Sequence, residues 1–172
     1  MNDDLTQTLN KALAANDLHA ICDQLGASIF EVTGVTIFSK ASKVDRTTLY
    51  RAFRIKRDLS LETLIKVLTA LGLRLTFVAK TEVPESVASA RRFSKALASG
   101  DPSQLAGAFA RSLRSQPNVT RFAEKAGRSR EALYRTFAGP GTPRFSTVLC
   151  LVAALELQLV VAPMRHRTLR GV

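Results

Sequence analysis

The chain of 172 residues has no tryptophan, two cysteines and two histidines. Cys22 and Cys150 lie far apart in apolar helical patterns, which excludes a disulfide framework and any CxxC motif, so we expect buried, reduced thiols. His19 and His166 have no neighbouring ligand cluster, and the sequence therefore predicts no metal site. The loop "AGPGTP" lacks the Lys-Ser pair of a phosphate-binding loop. We therefore expect neither an enzyme nor a cofactor.

Long apolar runs are also missing. No stretch approaches the roughly 18 apolar residues that a membrane-spanning helix needs. The first ten residues, "MNDDLTQTLN", are acidic and polar, which is unlike a secretory signal. The sequence therefore predicts a cytoplasmic protein with no membrane partner.

Acidic residues are few, and basic residues dominate. The chain carries 25 Lys and Arg against 14 Asp and Glu, a formal net charge of +11. The excess is greatest in residues 81–172, with 14 basic and 6 acidic side chains. Such a charge favours a polyanionic partner, although a charge that serves solubility alone is the alternative. Charge by itself therefore does not predict DNA binding. That prediction also requires the basic residues to lie in an arrangement that fits DNA.

A nine-residue segment occurs twice, as "DRTTLYRAF" at residues 45–53 and "SREALYRTF" at residues 129–137. A shift of 84 residues aligns the two copies, and many other identities follow at the same shift without a gap. These identities include "KALA" at 11–14 and 95–98, Val35 with Val119, Phe38 with Phe122, and Leu73 with Leu157. The pattern predicts a tandem duplication of a unit of roughly 75 residues.

The repeat suggests domain boundaries. We expect a first, divergent unit at residues 1–80, a linker at 81–90, a second unit at 91–163 and a basic tail at 164–172. Pro84 interrupts the polar stretch "KTEVPES" at the seam, which is typical of a linker. The tail is interpreted either as an arm that contacts phosphates or as a solvated end.

Each unit is predicted to be mainly α-helical and to end in one short β-strand. Apolar residues recur at helical spacing until the last segment, where Leu73, Leu75 and Phe77 alternate with polar residues at a period of two. A lone strand leaves its backbone groups without partners. The two strands can pair as an antiparallel ribbon within the chain, or each can pair with a strand of another chain.

Residues 122–137, "FAEKAGRSREALYRTF", follow the helix-turn-helix pattern. Ala123 is small where the two helices meet, Gly127 can adopt the left-handed turn, Ser129 caps the second helix and Leu133 anchors it in the core. The first unit departs from this pattern at Ser39 and at Lys43, which replaces the turn glycine. A left-handed Lys43 costs about 1 kcal/mol.

The second helix of such a motif reads base edges in the major groove of double-stranded DNA. The candidate DNA-binding residues are the exposed positions of this helix in both units, together with one arginine of the preceding helix: Arg46, Thr47, Tyr50, Arg51, Arg121, Arg130, Glu131, Tyr134 and Arg135. Arginine pairs with guanine, glutamate accepts from cytosine and threonine contacts the thymine methyl group. Solvated arginines on a helix surface are the structural alternative.

The second unit resembles the addiction-module antidote proteins, bacterial relatives of HigA-type antitoxins in the lambda-repressor-like (Xre) class. The resemblance is carried by "ALASGD", "SREALYR" and "GTPRFSTVL", and it extends faintly to the first unit. It implies a lambda-repressor-like fold, binding to a palindromic operator and a cognate toxin as a partner. Family members usually carry one unit and dimerise, so this chain is expected to be a pseudo-dimeric monomer or a homodimer.

The sequence thus predicts a DNA-binding transcriptional regulator, most readily a repressor, with two lambda-repressor-like helix-turn-helix units. The alternative is an antitoxin that neutralises a toxin by protein–protein contact and autoregulates its operon. Because Thr47 corresponds to Glu131, we expect the two half-sites of the operator to differ.

Overall fold

The computed structural model describes residues 2–138 and 142–164, which form a mainly helical protein with one small antiparallel sheet of two strands. The first half contains α1 (Asn2–Ala14), α2 (Leu18–Ala27) with a π-helical continuation (Ser28–Thr33), α3 (Val35–Ser42), α4 (Arg46–Phe53), α5 (Leu61–Ala70) and β1 (Leu73–Ala79). The second half contains α6 (Pro84–Ala98), α7 (Pro102–Arg114), α8 (Val119–Lys125), α9 (Arg130–Ala138), α10 (Phe145–Ala154) and β2 (Leu157–Pro163). The tail arginines Arg165, Arg167 and Arg170 lie outside the described residues.

The two halves repeat the same order of elements, five helices followed by a strand. That this order arose by duplication stays a prediction. The predicted linker at residues 81–90 overlaps α6, which begins at Pro84. Proline at the first helical position has no amide hydrogen that the helix would need, so Pro84 starts a helix here instead of breaking one.

Capping residues define where several of these helices begin. The Asp17 carboxylate accepts a hydrogen bond from the Ala20 amide at 3.0 Å, and Asp45 accepts one from the Thr48 amide at 2.8 Å. The Thr48 hydroxyl donates a second bond, and both bonds hold the pKa of Asp45 below its usual value. In the second half, Ser129 accepts from the Ala132 amide at 3.1 Å. Each nine-residue segment therefore forms one helix that begins directly after its capping residue, as the sequence predicts.

A left-handed residue separates α3 from α4, and another separates α8 from α9. Lys43 has φ 55° and Gly127 has φ 62°, in line with the prediction that lysine takes the place of a turn glycine. The Ser39 hydroxyl donates to the Val44 carbonyl at 2.7 Å and ties the turn of the first half together. Both turns bring a short helix onto the start of the next one.

The sheet joins the two halves within one chain. β1 and β2 run antiparallel, and Thr76 pairs with Val160, the residue 84 positions later. A second bridge pairs Ser60 with Arg144, again at this offset, through the bonds Leu61 N–H to Pro143 O and Phe145 N–H to Leu59 O. When equivalent residues of two halves pair in an antiparallel arrangement, an approximate two-fold axis passes between them and relates one half to the other. The two bridges therefore define such an axis, called the pseudo-axis below.

Each half also covers the strand of the other half. Asn10 of α1 accepts from the Val161 amide at 2.7 Å and donates to the Val161 carbonyl at 3.0 Å. Ser94 of α6 makes the equivalent pair of bonds to the amide and carbonyl of Phe77, at 3.0 and 3.1 Å. One outer amide and one outer carbonyl of each strand are thus satisfied by a side chain from the opposite half.

The core continues across this junction. The Phe77 ring of β1 packs edge-on against Phe93 of α6, with ring centres 5.4 Å apart, and Phe109 of α7 lies next to both. All three side chains are buried. One apolar cluster therefore spans both halves.

A helix that crosses a bilayer needs about 20 apolar residues. Among the described residues no single helix meets that requirement. The segments Leu18–Thr33 and Val35–Ser42 meet it by length and composition only when taken together, and they are bent by 111° relative to each other.

Candidate nucleic-acid interface

Helix α4 presents the predicted residues of the first half on its solvent face. Leu49 is completely buried and fixes the rotation of the helix, because residues one and two positions away then point outward. Arg46, Thr47 and Arg51 are exposed. Tyr50 is 44% exposed, and its ring packs against Phe30 with 5.0 Å between ring centres.

Helix α9 repeats this arrangement in the second half. Leu133 is completely buried, whereas Arg130, Glu131 and Arg135 are exposed. Tyr134 is half-buried, and the Arg130 guanidinium lies 5.7 Å from the centre of its ring. A guanidinium near an aromatic face is restrained in orientation, which favours a fixed direction of approach to a partner.

Arg121 is exposed on α8, one helix before α9. It lines an open depression of about 660 Å³ with Asn118 and Lys125. The structure thus places Arg121 on the helix that precedes the reading helix of the predicted motif. In known helix-turn-helix proteins this first helix crosses the DNA backbone, and contacts to the backbone carry no sequence information.

The arginines of these helices keep their charges unpaired. Within residues 2–138 and 142–164 the ion pairs are Lys56–Asp23, Lys66–Glu62 and Lys125–Glu156, and none of them involves an arginine. An exposed guanidinium without a carboxylate partner can bind an incoming phosphate or base edge with its full charge.

A cleft of about 440 Å³ lies at the pseudo-axis and joins the two halves. Arg51 of α4 and Arg57 line it from the first half, and Arg144 lines it from the second half. Arg144 also donates to the Asp58 backbone carbonyl at 2.9 Å. Three cationic side chains therefore converge beside α4, at the boundary between the halves.

The Asp58 carboxylate holds this boundary together. It accepts from the Ser146 hydroxyl at 2.6 Å and from the Ser146 amide at 3.2 Å. The Arg128 guanidinium donates to the same Ser146 hydroxyl at 3.3 Å. The turn before α9 is thereby connected to the segment that follows α4.

Sequence reasoning did not select Arg54, Arg57, Arg128 and Arg144. Arg54 is exposed, and its guanidinium lies 4.7 Å from the centre of the Phe30 ring. The sequence did contain an indication that Arg54 and Arg57 contribute to a basic surface. Both belong to "RIKRDLSL", the basic stretch in which the first half differs from the second. Arg144 carried no such signal, since only the bridge to Ser60 brings it to the pseudo-axis.

The described residues bring few metal-ligating side chains together. They contain no group of three or more His, Cys, Asp and Glu side chains suited to a metal. Cys22 is buried, as predicted, but Cys150 is half-buried. Burial, with smaller contributions from Asp23 and Asp58, raises the pKa of the Cys22 thiol to about 11. At neutral pH this thiol is therefore protonated and a poor nucleophile.

The comparison with protein families bears on the second half of the molecule. Residues 81–163 match the family model "Probable addiction module antidote protein". The match begins just after β1 and runs from α6 to β2, so the first half lies outside it. At this level the resemblance seen in the sequence of the second half is confirmed.

One curated relative is an "Uncharacterized protein" of Haemophilus influenzae (strain ATCC 51907 / DSM 11121 / KW20 / Rd). It is 44% identical over 48 residues, which make up 28% of this chain and 50% of the relative. The chain thus spans about half the length of the curated relative that it matches. No solved structure matches this chain.

Proposed function

We propose that this protein is the antidote of an addiction module and neutralises a toxin protein by direct contact. The observation that carries the proposal is the family match, which covers the whole of the second half from α6 to β2. An antidote needs no catalytic centre, and the scarcity of histidine and cysteine is compatible with such a role. The proposed partner is a toxin encoded by a neighbouring gene.

The test of the antidote role is a rescue experiment. The neighbouring gene is expressed from an inducible promoter, alone or with the full chain, and growth and co-purification are measured. We expect growth arrest by the neighbour alone, restored growth with the chain, and a stable complex of the two proteins. Co-expression of a frameshifted copy of the antidote gene is the control. Arrest that persists in the presence of the folded chain would refute the antidote role.

A second function, binding to double-stranded DNA through α4 and α9, is favoured by the geometry of these helices. We propose that α3–α4 and α8–α9 are two helix-turn-helix motifs. This is supported by capped helix starts, left-handed turns at Lys43 and Gly127, and exposed arginines at equivalent positions. In an antidote, this activity would autoregulate the operon.

The proposed binding mode places α4 and α9 in successive major grooves on one side of the duplex. The pseudo-axis relates the two helices, so a single chain would span two half-sites about 10 base pairs, or about 34 Å, apart. Arg46 and Arg130, together with Arg51 and Arg135, would impose similar bases in both half-sites. Thr47 and Glu131 would make the half-sites differ.

The salt dependence of binding tests this mode without knowledge of the operator. Eight exposed arginines belong to α4, α9 and the segments that adjoin them: Arg46, Arg51, Arg54, Arg57, Arg128, Arg130, Arg135 and Arg144. If each of these arginines contacted one phosphate, the logarithm of the association constant would fall with the logarithm of the salt concentration at a slope of about −7. The affinity would then decrease about 10⁴-fold between about 50 and 200 mM salt.

On a random-sequence duplex, where the bases are not matched, Arg51 and Arg135 should contact phosphates, and the variants Arg51→Gln and Arg135→Gln should each reduce the magnitude of this slope by about 0.9. Arg91→Gln is the matched control, because Arg91 is an exposed arginine of α6, outside the proposed interface. Binding to a random-sequence duplex is titrated at several salt concentrations for all three variants. A flat response, or equal slopes for the three variants, would contradict the proposed interface.

A further inference from the structure

A mostly apolar cavity of about 290 Å³ opens between the two halves, and none of the eight arginines proposed to contact DNA lines it. Helix α5 of the first half forms one wall, and α6 and α7 of the second half form the other. Its apolar lining comes from Leu61, Ile65, Leu97, Leu105, Ala106 and Pro143. An apolar cavity of about 150 Å³ in another protein binds benzene, so this one has room for a body of about ten heavy atoms.

The equivalent space in the other half is closed by larger side chains. Phe145 stands at the position equivalent to Leu61 and is completely buried, and Cys22 replaces Ala106 and is also buried. Ala106 itself is half-exposed. Leu97 is likewise half-exposed, whereas its equivalent Leu13 is buried. The cavity therefore results from particular residues, Leu61 of the first half and Leu97 and Ala106 of the second, and is not a gap that the repeated architecture requires.

Carboxylates stand at the edge of the cavity. Glu62 accepts from the Lys66 ammonium at 2.8 Å and from the Thr142 hydroxyl at 3.2 Å. Asp101, the exposed N-cap of α7, also lines the cavity and uses one oxygen to accept from the amide and hydroxyl of Ser103. A carboxylate offers about four acceptor sites, so both groups can accept further hydrogen bonds. Two carboxylates against one lysine favour a cationic group at the edge.

We propose that this cavity binds a small arylalkylamine, with the aromatic ring among the apolar side chains and the ammonium group against Glu62 and Asp101. The ring would fill the space that Phe145 occupies in the other half. The apolar lining supplies the affinity for the ring, and the carboxylates select a primary amine over a neutral or anionic analogue of the same size. This inference does not depend on toxin or DNA binding.

Three probes of similar size test the proposal on the full chain: 2-phenylethylamine, ethylbenzene and 3-phenylpropionate. Binding is measured by calorimetry and by ¹H–¹⁵N chemical-shift changes. We expect the amine to bind more tightly than the other two probes, with shifts in α5, α6 and α7. Glu62→Gln should weaken binding of the amine by at least about tenfold, because it removes a charge-assisted bond, and should leave ethylbenzene unaffected.

Two variants fill the cavity. Leu61→Phe introduces the residue that the other half carries at this position, and Ala106→Leu fills the opposite wall should Leu61→Phe fail to fold. Both should abolish binding of the amine while thermal unfolding remains cooperative. Binding that survives in the folded variants, no binding of any probe to the wild-type chain, or equal affinity for ethylbenzene and the amine would each overturn the proposal.

Discussion

Asn10 offers a direct test of how the two halves hold each other together. Its side chain bonds both the amide and the carbonyl of Val161, which is buried on β2. Asn10→Ala would leave both backbone groups without a partner. An unsatisfied buried group costs about 1–3 kcal/mol. Because Asn10 itself is only half-buried, water can reach the vacated site, and we expect the lower end for each group. The free energy of unfolding should therefore fall by about 2–3 kcal/mol.

The assay is equilibrium unfolding in urea, followed by helical circular dichroism. Ser94→Ala should cause a similar loss, because Ser94 makes the equivalent two bonds to Phe77. Gln7→Ala is the control, since Gln7 is an exposed residue of the same helix as Asn10 and its loss should change stability by less than about 0.5 kcal/mol. All variants should unfold in a single transition, because one apolar cluster spans both halves.

If the free energy of unfolding falls no more for Asn10→Ala than for the control, the argument that the bonds of Asn10 stabilise the edge of β2 is refuted. Two separate transitions in the wild-type chain would refute the argument that the halves form one cooperative unit. The first outcome concerns the strand edge alone, and the second concerns the whole junction, so the two conclusions can fail independently.

Three further predictions follow from individual side chains. Lys43→Gly should raise the free energy of unfolding by about 1 kcal/mol because the residue is left-handed, and Gly127→Lys should lower it by a similar amount; urea unfolding measures both, and changes of the opposite sign would contradict the strain argument. The folded pKa of Cys22 lies above the ordinary value of 9.0, so its contribution to stability is complete below pH 9 and is lost as pH rises towards 11; across this range the melting temperature of wild type should fall more steeply than that of Cys22→Ala, and parallel curves would contradict the raised pKa. Glu131→Thr should raise affinity for a random-sequence duplex severalfold at about 50 mM salt, because it removes a negative charge near phosphates, and an unchanged affinity would place Glu131 outside the interface.

Local features of the fold could be predicted from the sequence because they depend on neighbouring residues. Asp17 and Asp45 cap helices because their short carboxylates reach an amide three residues on. The left-handed turn at Lys43 followed from alignment with Gly127. Alternation of Leu73 with Arg74 predicted a strand because successive side chains of a strand point to opposite faces. The exposure of Thr47 and Arg51 in α4, and of Glu131 and Arg135 in α9, followed from their spacing around the buried Leu49 and Leu133.

The tertiary structure alone decided what each element packs against. The hydrophobic pattern of β1 shows which face is buried, but backbone pairing is the same for any partner, so the sequence favoured pairing within the chain and left pairing with another chain as the alternative. The bridge from Ser60 to Arg144, the bonds of Asn10 to Val161 and the cavity beside Ala106 all join residues more than 40 positions apart. Such contacts follow from how the two halves meet, which no periodicity within either half records. The sequence alone thus determined the elements and their exposed arginines, and the tertiary structure decided that the two halves, with their arginines, pair within one chain about a pseudo-axis.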